Sequence, residues 1–235
     1  PCISGKRGSG AVFFTGCSLQ CAYCQNYSIS AERKTGRAVS PEELAAIFRR
    51  LAEQGAHNIN LVTPTHFVPA VLRALSLWKP TVPVVYNCGG YESLSTLKML
   101  EGHVDIYLPD MKYADGALAD YVETARAAVL EMARQTGPAV YGADGVMRRG
   151  TLVRHLILPG HTRNSLAVLD WLAANLPPGV PVSLMAQYVP CGRAAEFPDL
   201  GRRVTAREYA KVQDRLFALN LDGYVQERSS ANRAY

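Results

Sequence analysis

Cys17, Cys21 and Cys24 fall within the stretch TGCSLQCAYCQN, residues 15–26, and make up half of the six cysteines in this 235-residue chain. Thiols crowded at that spacing are candidate metal ligands. A structural zinc ion takes four closed ligands, and no second CxxC pair completes the set. His57, His66, His103, His155 and His161 form no ligand pair in sequence. One of them, or Cys2, would have to fold onto the loop to close a zinc site. An electron-transfer [4Fe–4S] cluster also takes four thiolates. Three thiolates leave one iron open, and an open iron can bind a reactant, as a catalytic metal keeps a free coordination position. Cys2, Cys88 and Cys191 are scattered and read as free or buried thiols.

Other polar residues stand where apolar runs end. Asp110-Met111-Lys112 closes VDIYLPDMK, Asn87-Cys88-Gly89-Gly90 closes VPVVYNC, Thr63-Pro64-Thr65-His66 closes INLV, and Gln187-Tyr188 closes VPVSLMA. Each could be a plain strand-end turn. Arg154 is different, because it sits inside the run LVRHLILPG, where a charge must be paired or functional. Two-residue alternation puts Arg154 and His155 on opposite faces, with His155 the better candidate for a satisfied core histidine.

These residues need elements to position them. The apolar runs at 10–16, 59–64, 82–88, 104–112, 152–160 and 180–190 are short, rich in valine, isoleucine and tyrosine, and mostly closed by proline or glycine, as buried parallel strands are. Helical periodicity fills the gaps. Ser40-Pro41-Glu42-Glu43 opens a helix with a capping box and closes at Gly55, and residues 67–78, 93–102, 118–136 and 165–176 follow. Thr205-Ala206-Arg207-Glu208 opens the last, which runs to about Leu221. A small hairpin is predicted to turn at Asp144-Gly145. Six βα units without a linker predict a single α/β domain: an arm at 1–10, the βα units at 11–221 and a tail at 222–235. Six units are too few for a closed eightfold barrel. An open, partial (β/α)6 barrel fits, with a doubly wound sheet as the alternative. Both put functional residues at the C-terminal ends of the strands.

Composition bounds the rest. A 48% hydrophobic content with 19% charged residues is that of a globular domain. No apolar run is long enough to span a membrane, and the N-terminus has no signal-peptide core. The first residue is Pro1, so a trimmed or partial product is expected. The net charge of +5 reads as a solvated surface, with no nucleic-acid motif behind it. The cysteine spacings do not form a secreted disulfide framework, which predicts a reducing, cytoplasmic setting.

The Cys-x3-Cys-x2-Cys loop after the first strand, with Tyr23 before the last cysteine, resembles that of the radical S-adenosylmethionine (SAM) enzymes. The likeness extends over almost the whole chain and is to activating enzymes of the pyruvate formate-lyase type and their uncharacterised relatives. It implies a [4Fe–4S] cluster on Cys17, Cys21 and Cys24, with SAM chelated at the open iron. Reductive cleavage of SAM would give a 5′-deoxyadenosyl radical that takes a hydrogen atom from a substrate. The resemblance makes Lys112 a partner for the SAM carboxylate and Asp110 a partner for a ribose, a cation or Lys112 itself. Asn87 stands where the activating enzymes have aspartate. Arg154 matches the arginine of their Val-Arg-x-Val-Val-Val-Pro-Gly strand. Gln187 and Tyr188 become ribose or adenine contacts. The family's Gly-Gly-Glu is replaced here by Thr63-Pro64-Thr65, whose hydroxyls and carbonyls could supply some of the lost acceptors. The implied partners are a glycyl radical enzyme, as a protein or peptide substrate, and a flavodoxin- or ferredoxin-type electron donor. The competing readings are a radical enzyme for another peptide or small molecule, a structural metal or electron-transfer protein, and a barrel that has lost SAM binding.

Overall fold

Strand and helix alternate in the computed structural model, which describes residues 2–32, 36–114 and 119–226. The elements are β1 (Gly10–Phe13), α1 (Tyr27–Ser30), α2 (Pro41–Glu53), β2 (Ile59–Val62), α3 (Val68–Leu77), β3 (Val84–Cys88), α4 (Leu94–Leu100), β4 (Ile106–Pro109) and α5 (Ala119–Thr136). Then come β5 (Val140–Tyr141), β6 (Met147–Thr151), β7 (Val153–Leu156), α6 (Thr162–Asn175), β8 (Val182–Met185), α7 (Ala206–Ala218) and β9 (Gly223–Val225). Both predicted capping boxes are present. Ser40 and Glu43 exchange backbone and side-chain bonds at the start of α2, and Thr205 and Glu208 do so at α7. Such caps satisfy amides that the first helical turn leaves without partners.

The strands form one sheet in the order β1-β2-β3-β4-β6-β5 and a second in the order β7-β8-β9. All pairings are parallel except the β5–β6 hairpin, which turns around Asp144-Gly145. The sheets join at β4. Leu152 donates its amide to the Tyr107 carbonyl at 2.9 Å, and Met111 donates to the Arg154 carbonyl at 2.8 Å. β6 and β7 therefore run along one edge of β4 as a single strand broken at Leu152. The outcome is an α/β domain with the open, partial-barrel arrangement of parallel strands.

Alternation divides the core. Outward residues Ile59 and Leu61 pack on Leu44 and Phe48 of α2 and Val71 of α3. Tyr86 and Tyr107 pack on α4 and α5 through Leu97, Leu100 and Met132. Full burial of each such side chain contributes about 1.5–3 kcal/mol. Inward residues Val85, Ile106, Leu108 and Met147 gather with Cys2. The N-terminal arm is thereby part of the core, held by the Met147 amide on the Cys2 carbonyl at 2.7 Å and by Asn58 Nδ2 on the Ile3 carbonyl at 2.8 Å.

Three features differ from the sequence expectation. The predicted first strand stops at Phe13, and the cysteine loop is followed by the one-turn helix α1. The segment 222–235, expected to be a tail, contains β9, a parallel neighbour of β8. Three residues are too few to show a period. Gly223 makes the pairing possible: a Cβ there would overlap the Val182 carbonyl. The start of the fourth predicted helix, at 118, lies outside the described residues.

Candidate functional site

The C-terminal ends of β1, β2, β3, β4, β7 and β8 surround a cavity of about 310 Å³. Cys17, Cys21 and Cys24 all line it. Their loop is fixed from several sides. Gly16 donates its amide to the Ile29 carbonyl at 3.0 Å, Cys24 donates its amide to the Cys21 carbonyl at 3.1 Å, and the Cys24 thiol lies 3.2 Å from the Ser30 hydroxyl. From the far side, the segment after β8 docks on the loop: Arg193 donates to the Ala22 carbonyl at 2.7 Å, and the Cys191 thiol to the Tyr23 carbonyl at 3.3 Å. All six cysteines are free thiols.

Opposite the thiols stands a charged group of three. Lys112 Nζ donates to Asp110 Oδ2 at 2.7 Å. Arg154 Nη2 is 2.7 Å from Asp110 Oδ1 and donates at 2.7 Å to Asn87 Oδ1. Arg154 thus bridges the Asp110 carboxylate and the Asn87 amide oxygen. Burial pushes the Asp110 carboxyl up, but the Arg154 and Lys112 charges more than offset it and hold it below the usual range. Burial pulls Lys112 down, and the Asp110 carboxylate overrides that to raise it. Both groups are therefore charged at neutral pH. Burial raises the Cys21 thiol, with Lys112 acting against it and Cys17 and Cys24 adding to it.

Tyr121 frames this group. Its hydroxyl accepts from the Lys112 amide at 3.0 Å and has one proton to share between the Gly89 and Asp110 carbonyls, each 3.1 Å away. Gly90 lets the β3 and β4 loops touch, since a Cβ there would overlap the Asp110 carbonyl.

Of the residues expected at the site, Tyr23, Thr63, Asn87, Asp110, Lys112, Arg154 and Gln187 line the cavity together with the three cysteines. Tyr23 is largely buried and pairs its hydroxyl with that of Tyr113 at 2.9 Å. Thr65 and Tyr188 are not among the lining residues. Thr65 donates its hydroxyl to Glu92 Oε1 at 2.6 Å. Tyr188 is buried in the core with its hydroxyl on the Leu200 carbonyl at 2.8 Å. The physical reason is alternation and turn geometry. Gln187 faces the interior, so Tyr188 faces the helical layer. The turn after β2 aims Thr63 inward and Thr65 outward. His155 is fully buried opposite Arg154.

Asn60 was missed. It lines the cavity, and its Oδ1 is buried with no partner, as is Arg154 Nε. A lone amide inside the apolar run INLV carried the same signal as Arg154 did in its own strand. Neither Cys2 nor any histidine lines the cavity, so the ligand needed to close a zinc site is not at hand. Among the described residues, no three His, Cys, Asp or Glu side chains converge on a single metal ion. A cluster asks for something else, since each thiolate meets its own iron. A larger, mainly apolar cavity of about 650 Å³ lies behind the loop against Ala22, Tyr23 and Tyr113, and no thiol lines it.

Residues 11–172 match the model of the radical SAM superfamily. The chain belongs to that family. Its cofactors are a [4Fe–4S] cluster and SAM, and the residues present fit both. Three thiols share one cavity with charges of both signs. Buried polar atoms without protein partners await a polar ligand. The uncharacterized protein MJ0674 of Methanocaldococcus jannaschii is 28% identical over 223 residues, covering 91% of this chain and 63% of that one. Among solved structures, a radical SAM methyltransferase from Sphaerobacter thermophilus superposes with a TM-score of 0.61 at 16% identity, over 92% of this chain and 65% of that chain. Streptococcus suis SuiB bound to S-adenosylmethionine does so with a TM-score of 0.60 at 11% identity, over 92% and 49%. At those identities the likeness is one of fold. This chain spans less than two thirds of each of these proteins. Among the described residues, no helix is long and apolar enough to cross a membrane.

Proposed function

We propose that this radical SAM protein binds a [4Fe–4S] cluster on Cys17, Cys21 and Cys24 and cleaves SAM reductively for hydrogen-atom abstraction. The observation that carries this is the meeting of three thiols with Asp110, Lys112 and Arg154 around one cavity. When bound, the reduced cluster and SAM supply the 5′-deoxyadenosyl radical that removes hydrogen from a substrate.

The chain's own residues bind and orient. Lys112 keeps two ammonium protons beyond its bond to Asp110, enough to meet a ligand carboxylate. Asp110 keeps Lys112 charged and pairs with Arg154 through Oδ1. Asn87 and Arg154 brace each other at the cavity floor, with Arg154 Nε left to donate. Gln187 and Asn60 add amides to the lining, and Thr63 lines the cavity at the end of the β2 segment.

As substrate we propose a backbone glycine in a partner protein, which makes this a glycyl radical enzyme activase of the pyruvate formate-lyase-activating type. The chain compares with such activases in its motifs at Asp110–Lys112 and Val153–Gly160. A flavodoxin- or ferredoxin-type protein would deliver the electron. The free thiols suit a reducing, cytoplasmic compartment.

The test is anaerobic reconstitution with iron and sulfide, reduction with dithionite in the presence of SAM, and chromatographic assay of 5′-deoxyadenosine. Wild-type protein should form the product and Cys21→Ala should form none. Zinc without sulfide in the purified protein would overturn the proposal. The activase assignment is tested separately, by transfer of deuterium from α-deuterated glycine in a glycyl radical partner to 5′-deoxyadenosine. Transfer only from other peptides or small molecules would replace it.

A further inference from the structure

Thr63 is held in an unusual backbone conformation. It follows β2 directly with φ of 57°, in the left-handed region that β-branched residues resist. Among the described residues, three non-glycine residues share that sign of φ, the others being Gln20 and Asn220. Only Thr63 of the three is β-branched, and it lines the cavity. Strain of this kind persists only where the surroundings impose it. The structure shows what imposes it.

On its own strand, Thr63 donates its amide to the Asn87 carbonyl at 2.8 Å, which fixes its distance from β3. Pro64 follows and limits the backbone on that side. Thr65 then opens a 3-10 turn, Thr65–Phe67, closed by the Phe67 amide on the Pro64 carbonyl at 2.8 Å. The turn is anchored at both ends. The Phe67 ring stacks on Phe14 with centroids 5.5 Å apart. The Thr65 hydroxyl donates to Glu92 Oε1 at 2.6 Å, and Tyr86 donates to Glu92 Oε2 at 3.1 Å.

Glu92 is the costly part of this arrangement. It is 2% exposed, and among the described residues no lysine or arginine pairs with it. A carboxyl is rarely buried that way without a job. It does not line the cavity, so contact with a ligand there is not its job. What it does is tie the turn after β2 to the outer face of β3.

We propose that Glu92 is a positioning residue for the SAM cavity: by clamping Thr65 against Tyr86, it holds Thr63 in the left-handed conformation that presents its polar groups to the ligand. This rests on reading the cavity as the SAM site. It assigns a role to a residue that touches neither cluster nor cofactor. It also explains why a threonine, rather than the glycine that would suit the backbone, can occupy position 63.

The test is a double-mutant cycle read in SAM affinity, by equilibrium dialysis on the anaerobically reconstituted protein, with thermal unfolding in parallel. Thr63→Gly removes the hydroxyl and the strain together. It should weaken SAM binding about tenfold without lowering the melting temperature, and Thr63→Ser should restore most of the affinity. Thr65→Val cuts the tie to Glu92 without removing bulk, and Glu92→Gln disturbs it from the other side. Each should weaken binding severalfold in the wild-type background and add little in the Thr63→Gly background, because the residue they act through is gone. A merely structural role would give equal losses in both backgrounds. Equal losses, or unchanged affinity in folded Thr65→Val and Glu92→Gln proteins, overturn the proposal while leaving the SAM site intact. Absence of SAM binding by wild-type protein with an intact cluster overturns the site assignment and this inference with it.

Discussion

Glu92 lies against the outer face of β3 and His155 on the outer face of β7, so the cavity is flanked by one buried acid and one buried base. Glu92 accepts from Thr65 and Tyr86, and the Cys88 thiol is a further partner. His155 Nδ1 is 2.7 Å from the Met111 carbonyl and Nε2 is 2.9 Å from the Ser165 hydroxyl. A carbonyl can only accept, so Nδ1 carries the proton and Ser165 donates to Nε2. Burial drives both groups toward neutrality: Glu92 up to about 7, His155 down to about 4. On the cavity side, Asp110, Lys112 and Arg154 keep 17–22% of their side-chain surface exposed, and Asp110 and Lys112 are driven the other way, toward their charged forms. The difference is pairing. A lone buried group escapes the cost of desolvation by giving up its charge, whereas neighbours of opposite sign offset that cost for each other. The barrel thus keeps its paired charges on the cavity side and braces its walls with buried groups that desolvation drives toward neutrality.

Breaking the charged group should have the largest effect. Asp110→Asn leaves Lys112 and Arg154 facing each other without a carboxylate and should cost about 3–5 kcal/mol in urea unfolding. A loss below about 1 kcal/mol would mean that water already screens the three.

The two neutral ties make a sharper test, because their pH dependences oppose each other. The pKa of Glu92 is raised on folding, from 4.5 to about 7, so its contribution is favourable at low pH and lost as pH rises through that window. The pKa of His155 is lowered, from 6.5 to about 4, so its contribution is present above 6.5 and lost as pH falls. Between about pH 5 and 7 each shifts stability by about 2 kcal/mol, in opposite directions. The wild-type protein should therefore be nearly flat over that range. Glu92→Gln should become about 2 kcal/mol more stable on going from pH 5 to 7, and His155→Asn about 2 kcal/mol less stable. Parallel slopes in the two variants would contradict the comparison.

The smallest effects come from removing one donor at each tie. Ser165→Ala and Thr65→Val should each destabilise by about 1 kcal/mol, measured by thermal unfolding. A much larger loss at one site than at the other would show that the two walls are not equivalent braces.

Some of this site could be read before any fold was known, and the reason differs from residue to residue. The cysteine loop is local: three cysteines within eight positions announce themselves in one dimension. Arg154 was legible because a charge inside an apolar strand is costly, and alternation then placed His155 on the other face. The same rule, applied to Asn60, would have found it. The resemblance put Thr65 and Tyr188 at the site along with Thr63 and Gln187, but residues so close in a strand or a tight turn can point in opposite directions. Glu92 gave no signal in sequence, being one acid after a glycine turn. Its meaning comes from Thr65 and Tyr86, which are 27 and 6 residues away.

The α/β class, most of the strands and helices, both capping boxes and the three-cysteine loop follow from local rules of spacing and period, and sequence alone determined them. Tertiary structure decided which strand-end residues share a cavity, that β6 and β7 act as one strand on β4, that β9 completes the series, and which titratable groups pair. Those outcomes depend on distances between residues far apart in the chain. A charge has no fixed cost until its neighbours are known, and only the folded chain supplies them.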